Sequence, residues 1–226
     1  EGTRPQSDGR LFVIEKREKR RLKIHRKSER HVQWGTAFVI GGIHLGALLA
    51  FNPDYFSVSG LVLSVVLYFV AGLFGVTLCF HRLLTHRSFQ TYKWVEYLLT
   101  FCGCLALQSS PMQWTAMHRL HHKEADHEPD PHSPLVNFLW AHMGWLFMTL
   151  PKAEEYEEYS RFTKDMDRDP VQRWFTRWFF RIYFGFAILA YAAGEFYGGL
   201  GMSWLVWGIF ARTTVLWHAT WLVNSA

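Results

Sequence analysis

The sequence predicts an all-α membrane protein with four transmembrane helices, arranged as two hairpins, and a cytoplasmic helical cap rich in histidine. Three observations lead to this prediction: long uncharged stretches toward both ends of the chain, a basic arm before the first of them, and histidines concentrated between them. The chain has 226 residues, of which 50% are hydrophobic and 17% aromatic. This composition excludes a disordered or a collagen-like chain.

Residues 1–31 form a basic N-terminal arm. They carry eleven Lys and Arg against five Asp and Glu, whereas residues 32–226 carry thirteen against fourteen. The basic run at 16–30 would suit nucleic-acid binding, but it directly precedes an uncharged stretch. That arrangement favours the positive-inside signal of a membrane protein. We therefore expect the arm to lie in the cytoplasm, and we expect no nucleic-acid partner.

Four stretches with few or no charges meet the requirement of about 20 apolar residues for a bilayer span. They cover residues 32–51, 55–80, 178–197 and 200–226. Polar residues at 52–54 separate the first two stretches, and glycines around 198–201 separate the last two, which predicts two helical hairpins. Because an even number of spans returns the chain to its starting side, the region between the hairpins is expected in the cytoplasm.

The region between the hairpins, 81–177, is polar and holds eight of the twelve histidines. Its two apolar runs, 97–107 and 135–150, are too short to cross a bilayer. We expect them to form helices that either lie in the membrane interface or build the buried core of a cytoplasmic domain. The three cysteines lie in apolar stretches and are expected to be small buried residues rather than metal ligands: Cys79, Cys102 and Cys104.

Five histidines form two clusters, one with His81 and His86, the other with His118, His121 and His122. On a helix, His118 and His122 are one turn apart and can share a metal ion. His121 lies about 100° round from His122 and offers its ring to a neighbouring metal. His81 and His86 can converge only where a helix ends or distorts. Neutral imidazole suits iron, copper, nickel and zinc, so the clusters predict a site for two metals side by side.

The other histidines are interpreted differently. An acidic segment after the second cluster contains candidate supports for the metal ligands: His127, Asp130 and His132. Three isolated histidines are expected to be structural polar residues with hydrogen-bond partners: His44, His142 and His218.

Around these clusters the sequence resembles the membrane-bound fatty acid desaturases, in the branch of the stearoyl-CoA (delta-9) desaturases and the bacterial acyl-lipid desaturases. The matching text is HRLLTHRSF at 81–89, WTAMHRLHHKEADHEPDPHS at 114–133, FLWAHMGWLF at 138–147 and TWLVNSA at 220–226. The resemblance implies an oxidoreductase with two iron ions that uses O2 to insert a cis double bond, at the delta-9 position, into a saturated acyl chain. It also implies an electron donor, either a ferredoxin or a b-type cytochrome.

The resemblance assigns roles to individual residues. It implies that all five clustered histidines bind iron, that Asn224 reaches one iron through a water molecule, and that Trp221 contacts the acyl substrate. A third histidine box of the family is absent from this sequence, and the chain begins with Glu1 rather than Met. We therefore expect 32–226 to be a desaturase domain that is truncated before that box.

The acyl carrier and the reaction type are both open at this point. Acyl-CoA members of the family carry charged residues where this sequence has Ala116-Met117 and Thr149-Leu150, which favours an acyl lipid over acyl-CoA. A related membrane di-iron hydroxylase or ketolase would share the histidine boxes. A non-enzymatic metal transporter or haem-binding membrane protein would need ligands within the bilayer, whereas the two clusters lie outside the predicted spans.

Overall fold

The computed structural model describes residues 31–124, 137–149 and 160–225, and helices make up most of them. A two-residue antiparallel ladder joins β1 (His31–Val32) to β2 (Met148–Thr149), with Val32 opposite Met148. The helices are α1 (Trp34–Leu48, extended by a 3₁₀ turn at Leu49–Phe51), α2 (Val58–Thr85), α3 (Lys93–Cys104), α4 (Pro111–Glu124), α5 (Phe138–His142), α6 (Lys164–Asp167), α7 (Pro170–Gly198) and α8, which runs through Gly201–Ser203, Trp204–Ala211 and Arg212–Ser225.

Three helices of the described chain are long and apolar enough to cross a membrane: Trp34–Phe51, Val58–Thr85 and Pro170–Gly198. Large apolar side chains on these helices face outward, and Phe38 is 75% exposed and Ile188 69%. Outward apolar surfaces of this extent suit contact with lipid. The chain is therefore a membrane protein in character, and these three helices contain all but the first two or three residues of the predicted stretches 32–51 and 55–80, and all of 178–197.

The turns between these helices begin and end at the polar residues and glycines that the sequence indicates. Asn52 accepts a hydrogen bond from the backbone of Asp54 and begins a 3₁₀ turn at Pro53–Tyr55. At the end of α7, Gly199 adopts a left-handed backbone (φ 71°), and the amide of Leu200 donates to the carbonyl of Gly194. Glycine has no Cβ to oppose that conformation, so it ends α7 at this point.

Helix α8 packs against α1, α2 and α7 and so forms the centre of the bundle. Small residues allow the close approach: Gly46 of α1 lies under the ring of Phe210, and Gly208 lies beside Leu63 of α2. Consecutive helices α1 and α2 therefore meet mainly through α8.

Arg212 is the charged residue within the fourth predicted stretch, 200–226, and it is buried. Its guanidinium donates from Nη1 to the carbonyl of Leu105 (2.8 Å) and from Nε to the carbonyl of Gly208 (3.2 Å). Leu105 follows the last residue of α3, and a cation there is favoured by the helix dipole. The buried charge thus ties α8 to the turn between α3 and α4, where Trp217 also donates to the carbonyl of Ala106 (2.8 Å).

Helix α3 contains most of the apolar run 97–107, and it is amphipathic. Leu99 is 8% exposed and packs against α2, whereas Leu98, about 100° away around the helix, is 54% exposed. At its start, Lys93 and Tyr97 bond to Asp169, the residue that caps α7. One face of α3 is thus core, and the other is available to solvent or lipid.

The second apolar run, 135–150, differs from the predicted single helix. Its described part, 137–149, forms three short elements: α5, a 3₁₀ turn at Gly144–Phe147, and β2. The amide of Gln33 donates to the carbonyl of Phe147 (2.9 Å) beside the β1–β2 ladder. Backbone pairing with the segment before α1 therefore replaces helical hydrogen bonds here. The basic arm at 1–30 lies outside the described residues.

Candidate metal centre

His81 and His86 meet because α2 changes its hydrogen bonding at its end. The segment Phe69–Thr85 is π-helical, and the amide of His86 donates to the carbonyl of His81 (3.0 Å), five residues earlier. An i to i+5 bond places these two residues above one another, which an ideal α-helix does not. Their Nε2 atoms lie 3.1 Å apart. The distortion that the spacing of these histidines requires is therefore present.

His118 and His122 lie one turn apart on α4, as their spacing predicts. Helix α4 begins at Pro111, and Ser110 precedes it and accepts the amide of Trp114 (2.8 Å). The Nε2 atoms of the two histidines are 3.1 Å apart, and their ring centroids are 4.5 Å apart.

The two pairs face each other across the junction of α2 and α4. Ring centroids of His81 and His118 are 4.7 Å apart, and those of His86 and His122 are 4.6 Å apart. One nitrogen from each of the four rings lies within 4.8 Å of all the others. Two ligands about 2.1 Å from one metal and at right angles are about 3.0 Å apart, which is close to both Nε2 separations. The four imidazoles therefore fit a single metal ion.

His121 lies at the edge of this group rather than within it. Its ring centroid is 6.1 Å from that of His118 and 5.5 Å from that of His122. It projects from a different side of α4, as an offset of about 100° requires. The ring is thus placed for a position next to the four-imidazole site.

Burial and neighbouring imidazoles keep His118 and His122 in the form that binds metals. Burial and the surrounding imidazoles, first His122 and then His81, lower the pKa of His118 to about 3. Burial and the neighbouring His86 and His121 also lower the pKa of His122. Neutral imidazole has a free lone pair, so both rings are ready to bind a cation at neutral pH.

Sequence reasoning missed the side chains that surround these ligands. Trp114 stacks on His118, with ring centroids 4.9 Å apart and planes tilted by 31°. Arg87 and Arg119, each directly after a histidine, both bond to Asp165 of α6. The sequence does show that an arginine directly follows His86 and that another directly follows His118. Nothing in the sequence, however, pairs either arginine with an aspartate at least 46 residues away.

The remaining predicted site residues lie apart from this group or outside the described chain. Trp221 of α8 is 6% exposed, and its ring contacts those of His142 and His218. Asn224 lies in the last turn of α8, and its side chain is not among those described. The candidate supports all fall in the undescribed segment 125–136: His127, Asp130 and His132.

A second group of imidazoles joins α1, α5 and α8. His44 Nε2 lies 3.0 Å from His218 Nε2, and His218 Nδ1 lies 3.0 Å from His142 Nε2. The outer ends are also bonded, from His44 Nδ1 to the carbonyl of Ile40 (2.8 Å) and from His142 Nδ1 to Ser225 Oγ (3.1 Å). These contacts satisfy every ring nitrogen, which agrees with the structural interpretation of the three isolated histidines.

Known proteins are similar to this chain over most of its length. Residues 59–226 match the family described as fatty acid desaturase. The chain is 41% identical over 205 residues to an sn-1 stearoyl-lipid 9-desaturase of Anabaena variabilis, covering 91% of this chain and 72% of the relative. It is 38% identical over 193 residues to an sn-1 stearoyl-lipid 9-desaturase of Synechocystis sp., covering 85% of this chain and 58% of the relative.

A third relative acts on a different carrier. The chain is 42% identical over 188 residues to an acyl-CoA 5-desaturase of Anemone leveillei, covering 83% of this chain and 56% of the relative. The chain spans less than two thirds of the length of two of these three relatives. The chain belongs to the fatty acid desaturase family, which confirms the resemblance seen in the histidine motifs.

Proposed function

We propose that the protein is an O2-dependent acyl desaturase that inserts a cis double bond, at the delta-9 position, into a saturated acyl chain. The observation that carries this proposal is the group of four imidazoles at the end of an apolar helix long enough to span a membrane. Membership of the desaturase family supports the reaction type, and the stearoyl-lipid 9-desaturases among the relatives support the position.

Two iron ions are the proposed cofactor. His81, His86, His118 and His122 would hold one ion, and His121 would bind the second. Asn224 would reach an iron through water, as the resemblance implies. When bound, iron supplies the O2 activation that removing hydrogen from an unactivated methylene requires, since no acidic or basic side chain can do so.

The chain itself sets the protonation state and the position of the histidine ligands. Burial keeps the imidazoles of His118 and His122 neutral, and the π-helical end of α2 directs His81 and His86 at the same point. Trp114 covers one side of His118 and limits access of water from that side. Trp221 is proposed to contact the acyl substrate through its buried position between helices.

A glycerolipid is the proposed acyl carrier. A CoA phosphate would need free cationic groups near the metal, but the Arg119 guanidinium already bonds to Asp165 and to two backbone carbonyls around it. Ala116 is buried and uncharged. The proposed source of electrons is a ferredoxin or a b-type cytochrome that docks on the cytoplasmic side.

Four spans with a cytoplasmic metal centre are the proposed topology, in which α8 provides the fourth span. The excess of Lys and Arg in the arm supports this orientation. Cysteines introduced one at a time at Ser28 and Asp54, in a variant whose three native cysteines are replaced by alanine, would test it with a membrane-impermeant thiol reagent. We expect intact cells to label Asp54→Cys and to label Ser28→Cys only after permeabilisation. The reverse result would contradict the orientation.

Fatty acid analysis of a heterologous host tests the reaction. The full-length gene, expressed in a host that lacks the product, should yield monounsaturated chains in the glycerolipids, with the double bond located by mass spectrometry of derivatised methyl esters. The His121→Ala variant should make none. Hydroxylated or keto products without a new double bond would replace the proposal with a hydroxylase or ketolase. Haem absorbance without O2-dependent chemistry would indicate a non-enzymatic haem protein.

An in vitro assay with two substrates distinguishes a glycerolipid from CoA as the acyl carrier. Membranes containing the protein and an electron donor are supplied with either labelled stearoyl glycerolipid or stearoyl-CoA in the presence of an acyltransferase inhibitor. We expect conversion of the lipid only. Conversion of stearoyl-CoA alone would refute the choice of carrier and leave the reaction type intact.

A further inference from the structure

We propose that Asp165 is a positioning residue for the metal centre, because one carboxylate holds the arginines that follow a ligand on each of the two metal-binding helices. Arg87 follows His86 at the end of α2, and Arg119 follows His118 on α4. The inference rests on the proposed metal centre.

The carboxylate contacts both arginines through short, charge-assisted bonds. Arg119 donates from Nη1 to Oδ1 of Asp165 (2.8 Å) and from Nη2 to Oδ2 (3.0 Å), so the pair is bidentate. Arg87 lies against the same Oδ2, with its Nη2 at 2.5 Å. Bidentate pairing fixes the orientation of a guanidinium as well as its distance. Asp165 thus sets where the Arg119 plane lies relative to both helices.

Arg119 transmits that position to the histidines of α2. Its Nη2 donates to the carbonyl of Leu84 (2.5 Å), and its Nε donates to the carbonyl of Thr85 (3.4 Å). Leu84 and Thr85 are the last two residues of α2, and His86 follows them directly. Since Arg119 is only 17% exposed and lies beside His118 in sequence, its side chain helps to fix the spacing between His86 and His118.

Arg87 needs a partner for a separate reason. Its backbone is left-handed (φ 52°), a conformation that residues with a Cβ adopt only when their surroundings impose it. This left-handed residue directly follows His86 and turns the chain away from the end of α2. The side chain of Arg87 is 63% exposed, so its ion pair with Asp165 acts mainly as an anchor for the turn rather than as a large source of stability.

Asp165 is itself held in place by packing. Its neighbour Met166 is 5% exposed and lies in the cluster of buried side chains that contains Phe80 and Leu84 of α2. Burial alone would oppose ionisation of Asp165, but hydrogen bonds from Arg119 and Arg87 lower its pKa to about 2. The residue is therefore a charged, fixed point between the two metal-binding helices.

Metal binding by the purified full-length protein tests this role. Co(II) serves as the probe because its visible absorption reports ligand geometry. The Asp165→Asn variant keeps the size of the side chain but turns an NH2 group toward one of the arginines. We expect a 10- to 100-fold weaker Co(II) affinity, the range seen when supports of metal ligands are removed. We also expect a changed absorption spectrum.

Asp167→Asn is the matched control, because Asp167 lies on the same short helix and is exposed. It should leave the affinity and the spectrum unchanged. The Asp165→Glu variant keeps the charge and displaces both arginines by one methylene, so it should fold and still change the spectrum. Arg119→Lys should weaken binding to a similar degree, and its combination with Asp165→Asn should cost no more than the larger single effect.

Three outcomes decide the question. Wild-type affinity and spectrum in both Asp165→Asn and Asp165→Glu would overturn the positioning role. Full additivity in the double variant would also overturn it, since Asp165 would then not act through Arg119. Failure of the wild-type protein to bind Co(II) or iron would instead refute the metal centre of the proposed function. Thermal unfolding of the metal-free variants separates lost folding from lost positioning.

Discussion

Gly75 lies where α2 crosses α3 with backbone against backbone. A Cβ added at Gly75 would lie 2.4 Å from the amide nitrogen of Gly103, 2.5 Å from the carbonyl carbon of Cys102 and 2.6 Å from the Cα of Gly103. Ordinary contacts between such atoms are about 3.5–4.0 Å, so the Gly75→Ala variant must separate the two helices by about 1 Å. The atoms are backbone, and no rotamer change can relieve the contact.

This separation should be costly and should reach the metal centre. Overpacking of this kind costs about 1–3 kcal/mol. For a protein of this size, that corresponds to a decrease on the order of 5 °C in the unfolding midpoint. Phe80 packs its ring onto Gly103 and directly precedes His81. The displaced helices should therefore also weaken metal binding at His81.

Thermal unfolding in detergent, with fluorescence from the many tryptophans, measures the effect. The control is Gly42→Ala on α1, where a Cβ would meet no atom within 4 Å. It should raise the midpoint by about 2–4 °C, because alanine favours a helix over glycine by about 1 kcal/mol and nothing else changes. Equal midpoints for Gly75→Ala and Gly42→Ala would refute the close crossing of α2 and α3.

Three further outcomes are expected. His118→Ala should abolish metal binding and desaturation, and metal analysis would show the loss. His44→Ala should keep both. It should lose about 1–2 kcal/mol of stability in unfolding measurements, because its hydrogen bond to His218 is removed. The pKa of Asp165 is about 2 in the folded protein, below its ordinary value of 3.8, so its contribution to stability is complete above about pH 5 and is lost as the pH falls toward 2. The difference in unfolding midpoint between wild type and Asp165→Asn should shrink over that range, and a constant difference would contradict the assignment. Asp169→Ala should cost about 1–2 kcal/mol in unfolding measurements, because Oδ1 of Asp169 accepts the amide of Val171 at the start of α7 (2.9 Å). Asp169→Asn keeps this helix cap and should lose less than half as much stability.

Local patterns in the sequence predicted several features that the structure confirms. Uncharged runs predicted four apolar spans, three of which lie on helices long and apolar enough to cross a membrane, and the four-residue spacing of His118 and His122 predicted that their rings share one face of a helix. The five-residue spacing of His81 and His86 required a distorted helix end, which is present as π-type hydrogen bonding. Each of these depends on residues a few positions apart, where backbone geometry alone decides what can meet.

The prediction of one helix over 135–150 was wrong, because a distant segment of the chain pairs with part of it. An apolar run too short to cross a bilayer predicted a helix there, but β1 and Gln33 pair with backbone groups of the described part. Pairing with a segment more than 100 residues earlier along the chain leaves no local pattern.

By itself, the sequence determined the membrane character of this protein, the two histidine pairs and its family. Only the tertiary structure decided that the two pairs face each other, that Arg119 of α4 bonds to the last carbonyls of α2, and that Asp165 joins the arginines beside both pairs. Spacing along one helix fixes which side chains share a face, because the backbone repeats regularly. Contacts between helices depend on how buried side chains such as Met166 and Phe80 pack together, and no spacing in the chain contains that information.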